Sequence, residues 1–360
     1  MIVLALNSGS SSLKFGLFRV HAESAQPLVA GQLGGIGELT AALAGGELPV
    51  PQAIGHRVVH GGPGLRTHTV IDDPVMRQIE SAAEFAPLHV PAALAIIQHS
   101  RRLFSGLPQV ACFDTAFHAT LPDVARVLPV PKALLAQGIQ RYGFHGLSCE
   151  SVLCQLARDL PQGLPDRVLI AHLGHGASVT AVRAGRSVDT SMGLTPSGGL
   201  VMGTRSGDID PGLLIHLLRR GDGDIAQLEE LLDRRSGLLG ISGLSSDMRQ
   251  LHAAEATDAD ARLAVCMFCV SVAKQLAAMA TALGGADLIV FTGGIGENDV
   301  PVRAAICERL GWMGVALEPA GPAAGQAVIS AAHSSCEVRV VATQEEAQIA
   351  RHTARLLSTV

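Results

Sequence analysis

Apolar residues from Ile2 to Leu6 form a short run that breaks at Asn7-Ser8-Gly9-Ser10-Ser11-Ser12. The run resumes as Leu13, Phe15 and Leu17 alternating with Lys14 and Gly16. A period of two on both sides of a Ser/Gly cluster predicts two strands joined by a tight turn. Further strands are expected at 53–62, where the run ends in a glycine pair, and at 109–113, 167–173, 177–183, 287–291 and 337–341. Helical periodicity marks 74–85, 92–103, 149–160, 211–219, 225–234, 258–283, a segment from Pro301, and 344–356, with Asp72 or Asp73 before Pro74 as cap signals. Residues 23–52 carry little pattern, and the proline-rich stretch 119–141 reads as a crossing between domains. The strand, Gly turn, strand unit recurs at 167–183, which suggests two similar α/β domains facing each other.

Composition narrows the class. The 360 residues suffice for two domains and a substantial core. A net charge of -5 with 3% aromatics argues against a nucleic-acid surface. Mean hydropathy is +0.33, yet the most apolar stretch, 263–283, is interrupted by Ser271, Lys274 and Gln275, so a packed helix is expected rather than a membrane span. The chain enters a strand at once, and no signal peptide is expected. Seven cysteines without a framework fit reduced thiols in a cytoplasmic protein. Cys266 and Cys269 have CxxC spacing but fall inside the apolar helix, where core packing is the expectation.

Lys14 is one of only three lysines, and it follows a turn able to offer backbone N–H groups and hydroxyls to a small anion. An ordinary polar hairpin explains the same residues on steric grounds. No GxxxxGK[ST] is present. Gly293-Gly-Ile-Gly296 lacks the third glycine of the dinucleotide fingerprint, and His172-Leu-Gly-His-Gly176 fails it too. Strand-to-glycine turns at 7–12, 172–176 and 292–296 together favour a nucleotide held between two domains by backbone donors.

Ten segments carry a resemblance to one family: NSGSSSLKF at 7–15, GHRVVHGG at 55–62, PLHVP at 87–91, CFDTAFH at 112–118, RYGFHGLS at 141–148, HLGHG at 172–176, GLVMGTRSGDIDP at 199–211, SSDMR at 245–249, FTGGIGEN at 291–298 and TQEEAQIAR at 343–351. The chain resembles the acetate kinases, short-chain carboxylate kinases of the actin, Hsp70 and sugar-kinase superfamily. That resemblance implies two actin-like (ribonuclease H-like) α/β ATPase domains across a nucleotide cleft, with 1–117 plus 348–360 as domain I and 118–347 as domain II. It implies reversible in-line transfer of the ATP γ-phosphoryl group to acetate, giving acetyl phosphate and ADP. Propionate or butyrate is the alternative acceptor, a non-catalytic ATP-gated module is the rival of another class, and an NAD dehydrogenase is a more distant one.

Carried over by motif, Arg57 holds the carboxylate, Arg205 the transferring phosphoryl, and His145 donates to the same oxygens. Asp114 is the family's acid/base; because acetate is already ionised, an orienting role toward an arginine or a magnesium-bound water is physically preferred here. Asn7 and Glu345 are implied ligands of Mg²⁺, with Mn²⁺ as a substitute. Val59, Leu88, Phe144 and Pro196 are implied to form the acyl pocket. ATP is implied to contact Lys14, His172, Leu173, Gly174, His175, Gly176, Asp247, Met248, Arg249, Gly293, Gly294, Ile295, Gly296 and Glu297. A homodimer is implied, with helix 258–283 contributing, and neither a nucleic-acid nor a membrane partner. The chain departs from the family pattern at His175 (usually Asn), Cys149 (usually His), Ser197-Gly198, Gln344 and the shorter segment 20–56.

Overall fold

A computed structural model describes the chain except residues 9–12, 23, 35, 40–48, 221–223, 319–327 and 359–360. The Ser/Gly turn at 9–12 therefore lies outside the described residues. Its flanks are β1 (Ile2–Ser8) and β2 (Leu13–His21), antiparallel, with Asn7 opposite Lys14. β3 (Ser24–Leu33), β4 (Ala53–Val58), β5 (Thr69–Val70) and β6 (Gln109–Phe113) complete a sheet of order β3-β2-β1-β4-β6-β5. Within it β1, β4 and β6 run parallel. Helices α1 (Asp73–Ser81) and α2 (Val90–Leu103) lie between β5 and β6, and the Asp72 carboxylate caps α1 by accepting the Val75 N–H at 2.7 Å.

The proline-rich crossing holds two one-turn helices, α3 (Asp123–Arg126) and α4 (Lys132–Leu135), and leads into α5 (Gly146–Asp159). A second sheet follows, built from β7 (Arg167–Leu173), β8 (Ala177–Arg183), β9 (Arg186–Thr190), β10 (Leu288–Thr292) and β11 (Glu337–Val340) in the order β11-β10-β7-β8-β9. Between β9 and β10 come α6 (Pro211–Arg220), α7 (Ile225–Arg234), α8 (Gly237–Ser242), α9 (Met248–Ala254) and α10 (Ala259–Leu283). Between β10 and β11 come α11 (Gly293–Asn298) and α12 (Val300–Glu308), and α13 (Glu345–Ser358) closes the described chain. Both sheets open with the same hairpin and a parallel neighbour, so the repeat read in the sequence is a repeat in space.

Two differences from the sequence reading have one cause. β3 and β9 are edge strands, and β3 leaves most of its side chains exposed. A strand paired on one side and open to water on both faces needs no apolar alternation, so 23–33 looked patternless. The segment 237–249, where the sequence gives no helical period, contains α8 and the start of α9, and the glycine turn after β10 winds into α11.

α13 packs on the first sheet, where Ile349 and Ala350 meet Val3, Ala5, Val110 and Cys112. Gly55 in β4 makes that approach possible: a Cβ there would lie 2.3 Å from Thr353 Oγ1. α10 is long and apolar enough to cross a membrane, yet it lies along β7 and β8 with Ala264, Phe268, Val272 and Leu276 fully buried. The packed-helix reading of that segment holds.

Candidate active site

The parallel strands of both sheets end toward one region, where an α/β fold places its ligands. Arg57 leaves β4 and Asp114 follows β6, its neighbour in the sheet. Arg57 Nε donates to both Asp114 oxygens at 3.0 and 3.1 Å, and Nη2 donates to Oδ2 at 2.6 Å. Nη1 donates to Asn7 Oδ1 at 3.2 Å. Asn7, 3% exposed at the end of β1, turns its amide nitrogen to Glu345 Oε2 and Glu346 Oε1, each at 2.8 Å. Three strand ends and the first turn of α13 thus share one network of alternating charge.

Electrostatics follow from that network. Burial pulls the Arg57 guanidinium down, but the Asp114, Glu345 and Glu346 carboxylates outweigh it and raise Arg57 above its ordinary value. Burial pushes Asp114 up against the pull of Arg57. Glu345 stays below the usual carboxylate range in spite of burial, because Arg57, His172, Asn7 and Lys14 favour its ionised form. Exposed Lys14 therefore acts on this region as a distant charge.

The second sheet and α5 supply the opposite wall. His145 sits in the left-handed region (φ 58) as it caps α5, with Nδ1 2.9 Å from Ser178 Oγ. Its ring stacks on His172 with centroids 4.2 Å apart and planes 20° apart, and His172 Nδ1 meets Ser148 Oγ at 2.8 Å. Burial, then His172, Arg57 and Arg205, hold His145 well below its ordinary pKa, so the imidazole is neutral. Arg205 Nη1 donates to Pro196 O at 2.7 Å. Burial lowers the Arg205 guanidinium, Asp233 opposes that, and Arg57 adds to it. Gly176 lies where these groups meet: a Cβ built there would be 3.1 Å from Arg205 Nη2 and 3.3 Å from His145 Nε2. Arg57, Arg205 and His145, far apart in the chain, converge.

Two cavities adjoin this convergence. One of about 930 Å³ is lined by Gly174, His175, Asp247, Met248, Gly294 and Ile295 among others, residues that the sequence reading assigned to the nucleotide. Arg249 also lines it and pairs with Asp247 at 2.6 Å. Leu173 is fully buried, and Glu297 Oε1 accepts the N–H groups of Gly293 and Thr343 at 2.9 and 3.0 Å. Gly293 takes φ 78 against the Leu173 backbone, and Gly296 is buried beneath the loop. These four sit behind the cavity and shape its glycine loops.

The other cavity, about 320 Å³, is lined by Leu88, His89, Pro196, Ser197, Arg205 and Leu228 among others. Leu88 and Pro196 of the expected acyl pocket face it. Val59 and Phe144 are 7% and 1% exposed and pack in the core behind.

Three groups at the site carry no role in the sequence reading. His89 lines the same cavity as Arg205, its pKa lowered to about 4 by burial and then by Arg205, Arg57 and His175. Its place inside Pro87-Leu-His-Val-Pro91 was the available signal. Glu346 shares Asn7 with Glu345, and the adjacent glutamate pair was visible in the sequence. Ser178, which fixes His145, sits in an ordinary strand alternation and gave no signal.

The chain is similar to known proteins along most of its length. The Acetokinase family matches residues 38–351. The acetate kinase of Deinococcus deserti is 45% identical over 99% of this chain and 98% of its own. The crystal structure of Porphyromonas gingivalis acetate kinase superposes with a TM-score of 0.86 at 34% identity, covering 99% of both chains. A propionate kinase structure from Francisella tularensis gives 0.89 at 35% identity, covering 98% of this chain and 99% of that one.

Proposed function

The chain belongs to the acetokinase family, as an ATP-dependent phosphotransferase that acts on acetate, and from that premise we propose how its residues perform the transfer. An acetate nucleophile is ionised at neutral pH, so the difficulty is bringing an anion against a polyanion and neutralising charge on the moving phosphoryl group. Arg57 binds the carboxylate. Asp114, with both oxygens on that guanidinium, orients it rather than abstracting a proton. Arg205 and neutral His145, both beside Gly176, take the equatorial oxygens of the phosphoryl group in an in-line transfer. The nucleotide occupies the larger cavity with its phosphates toward Gly174 and Gly176. The convergence of Arg57, Arg205 and His145 carries this reading. Trapping the acyl phosphate with hydroxylamine in the presence of ATP and acetate tests it, and absence of hydroxamate would refute it.

The Glu345 and Glu346 carboxylates, with Glu345 held ionised, offer the oxygens a hard divalent cation takes, and the Asn7 amide oxygen would join them by giving up its bond to Arg57 Nη1. Mg²⁺ bound there through Asn7 and Glu345 would shield the phosphate charge. Dimerisation through α10 is supported by Leu263 and Met267, 49% and 42% exposed on its outer face while the opposite face is buried. Seven free thiols accord with a cytoplasmic site of action.

A second reading, a longer acid, draws on one observation. The cavity beside Arg205 is larger than a methyl group requires, and Leu88, Pro196 and Leu228 line it. Propionate is the nearest such acceptor.

A further inference from the structure

Behind the site, three ionisable groups from three elements converge where the proposed mechanism makes no use of them. Glu150, in the second turn of α5, has Oε2 2.9 Å from His352 Nε2 on α13 and 3.7 Å from His68 Nε2 in the loop before β5. The rings of His68 and His352 lie 4.0 Å apart, centroid to centroid. Two imidazoles and a carboxylate within 4.8 Å of one another could bracket a metal ion. The hydrogen bonding argues otherwise. Phe113 N–H donates to His68 Nδ1 at 3.1 Å, which leaves the proton of a neutral ring on Nε2, pointing at Glu150. A metal at Nε2 would move that one proton to Nδ1, where it would oppose the Phe113 N–H.

What the cluster joins gives it a role. His68 holds the backbone of Phe113, the residue before Asp114. Glu150 lies five residues beyond His145 on one helix, and His352 lies seven beyond Glu345 on another. The two helices already meet near their starts, where Thr343 Oγ1 donates to Ser148 Oγ at 3.0 Å and Gln344 N–H donates to Ser151 Oγ at 3.1 Å. Those contacts hold only the start of α13; the Glu150–His352 contact, about two turns further along it, ties the same helix to α5 a second time and fixes their angle. We propose that Glu150 is a positioning residue for the transfer reaction, a clamp through His352 and His68 that holds His145, Glu345 and Asp114 in mutual register. It rests on the phosphotransfer reading above.

The carboxylate suits that task. Burial raises it, but the His352 and His68 hydrogen bonds win and hold Glu150 down to about 2, so it is ionised at any working pH. His352 is lowered by burial against the pull of Glu150. Cys112 on β6, His118 beyond it, and Arg351 and Arg355 on α13 surround the pair, and Gln348, its Oε1 occupied by Arg351, shares His352 Nε2 with Glu150, its own Nε2 lying 2.8 Å away. Reacting groups displaced by about 1 Å can lose on the order of a hundredfold in rate. A clamp one shell behind them should therefore act on turnover more than on binding.

The test uses the full chain with Glu150→Ala and Glu150→Gln. Thermal unfolding, kcat, and the KM values for ATP and acetate are measured for each. We expect Glu150→Ala to unfold cooperatively and to lose about tenfold or more in kcat, with both KM values within about twofold. Glu150→Gln keeps an oxygen acceptor for His352 and should recover to within about threefold of the parent. Parent-like turnover in Glu150→Ala, or equal loss in both variants, would overturn the proposal. So would stoichiometric divalent metal in the purified parent that Glu150→Ala lacks. A parent that forms no acyl hydroxamate would overturn the phosphotransfer reading and this role with it; an active parent beside an unimpaired Glu150→Ala overturns this role alone.

Discussion

Arg57 and Asp114 form a closed pair: both carboxylate oxygens accept from the one guanidinium, and Asp114 is 1% exposed. Three of that carboxylate's acceptor sites are taken by Arg57, which suits it to aiming the guanidinium. Asp114→Asn breaks a buried pair and strands the Arg57 charge, so we expect a stability loss of about 3–5 kcal/mol. Arg57 would also lose its aim, raising the acetate KM. Urea unfolding and steady-state kinetics check both effects. Arg57→Ala should likewise act chiefly on the acetate KM, and an effect confined to ATP would contradict the assignment.

Arg205 contributes through charge at the transferring group. Arg205→Ala should lower kcat by at least about 10³ with the fold intact, the scale on which arginines act in phosphoryl transfer. Near-normal turnover in a cooperatively folded variant would remove Arg205 from the mechanism.

Gly176 is the point of closest approach between Arg205 and His145. A methyl group there, 3.1 Å from one and 3.3 Å from the other, pushes the two side chains back by a few tenths of an ångström, out of their shared aim. Gly176→Ala should therefore reduce kcat by about 10- to 100-fold while ATP still binds. Equilibrium nucleotide titration beside turnover separates the two effects.

Several buried histidines make the fold acid-sensitive. His56, His60 and His118 are all lowered to about 4, chiefly by burial. An unfolded chain takes up protons near 6.5, before these folded sites do. Their contribution is therefore full above about 6.5 and is lost as pH falls toward 4. Each fully buried ring should account for about 3 kcal/mol across that window. Denaturant midpoints at pH 7.5, 6 and 5 should fall in that order; a flat profile would show that the rings are protonated in the fold.

The acyl cavity bears on acceptor choice. One methylene changes discrimination by only about 1–3 kcal/mol in an apolar pocket. Hydroxamate yields along acetate, propionate and butyrate should therefore fall gradually or peak at propionate. A sharp cut-off after acetate would show that the cavity beside Arg205 does not receive the acyl chain.

Strand and helix order was legible because buried parallel strands and amphipathic helices imprint their periods on the chain. β3 escaped because an edge strand contributes backbone hydrogen bonds rather than apolar alternation. The glycine loops were legible as chemistry at strand ends, where a fold of this kind gathers ligands, and the two arginines only through the motifs shared with the family. What local pattern could not supply was pairing across distance: that Asp114 meets Arg57, that Ser178 holds His145, or that Leu173 and Glu297 stand behind the nucleotide loops instead of lining the cavity. Those facts depend on which strands become neighbours.

The left-handed backbone at His145 has a consequence for ligand affinity. A histidine at φ 58, boxed in by Ser178 and the His172 ring, is set when the polypeptide folds rather than when nucleotide arrives. No fraction of the association free energy then goes into ordering that imidazole. Loosening it, as loss of the Ser178 hydroxyl would, turns a one-time cost of folding into a recurring entropic cost in each catalytic cycle.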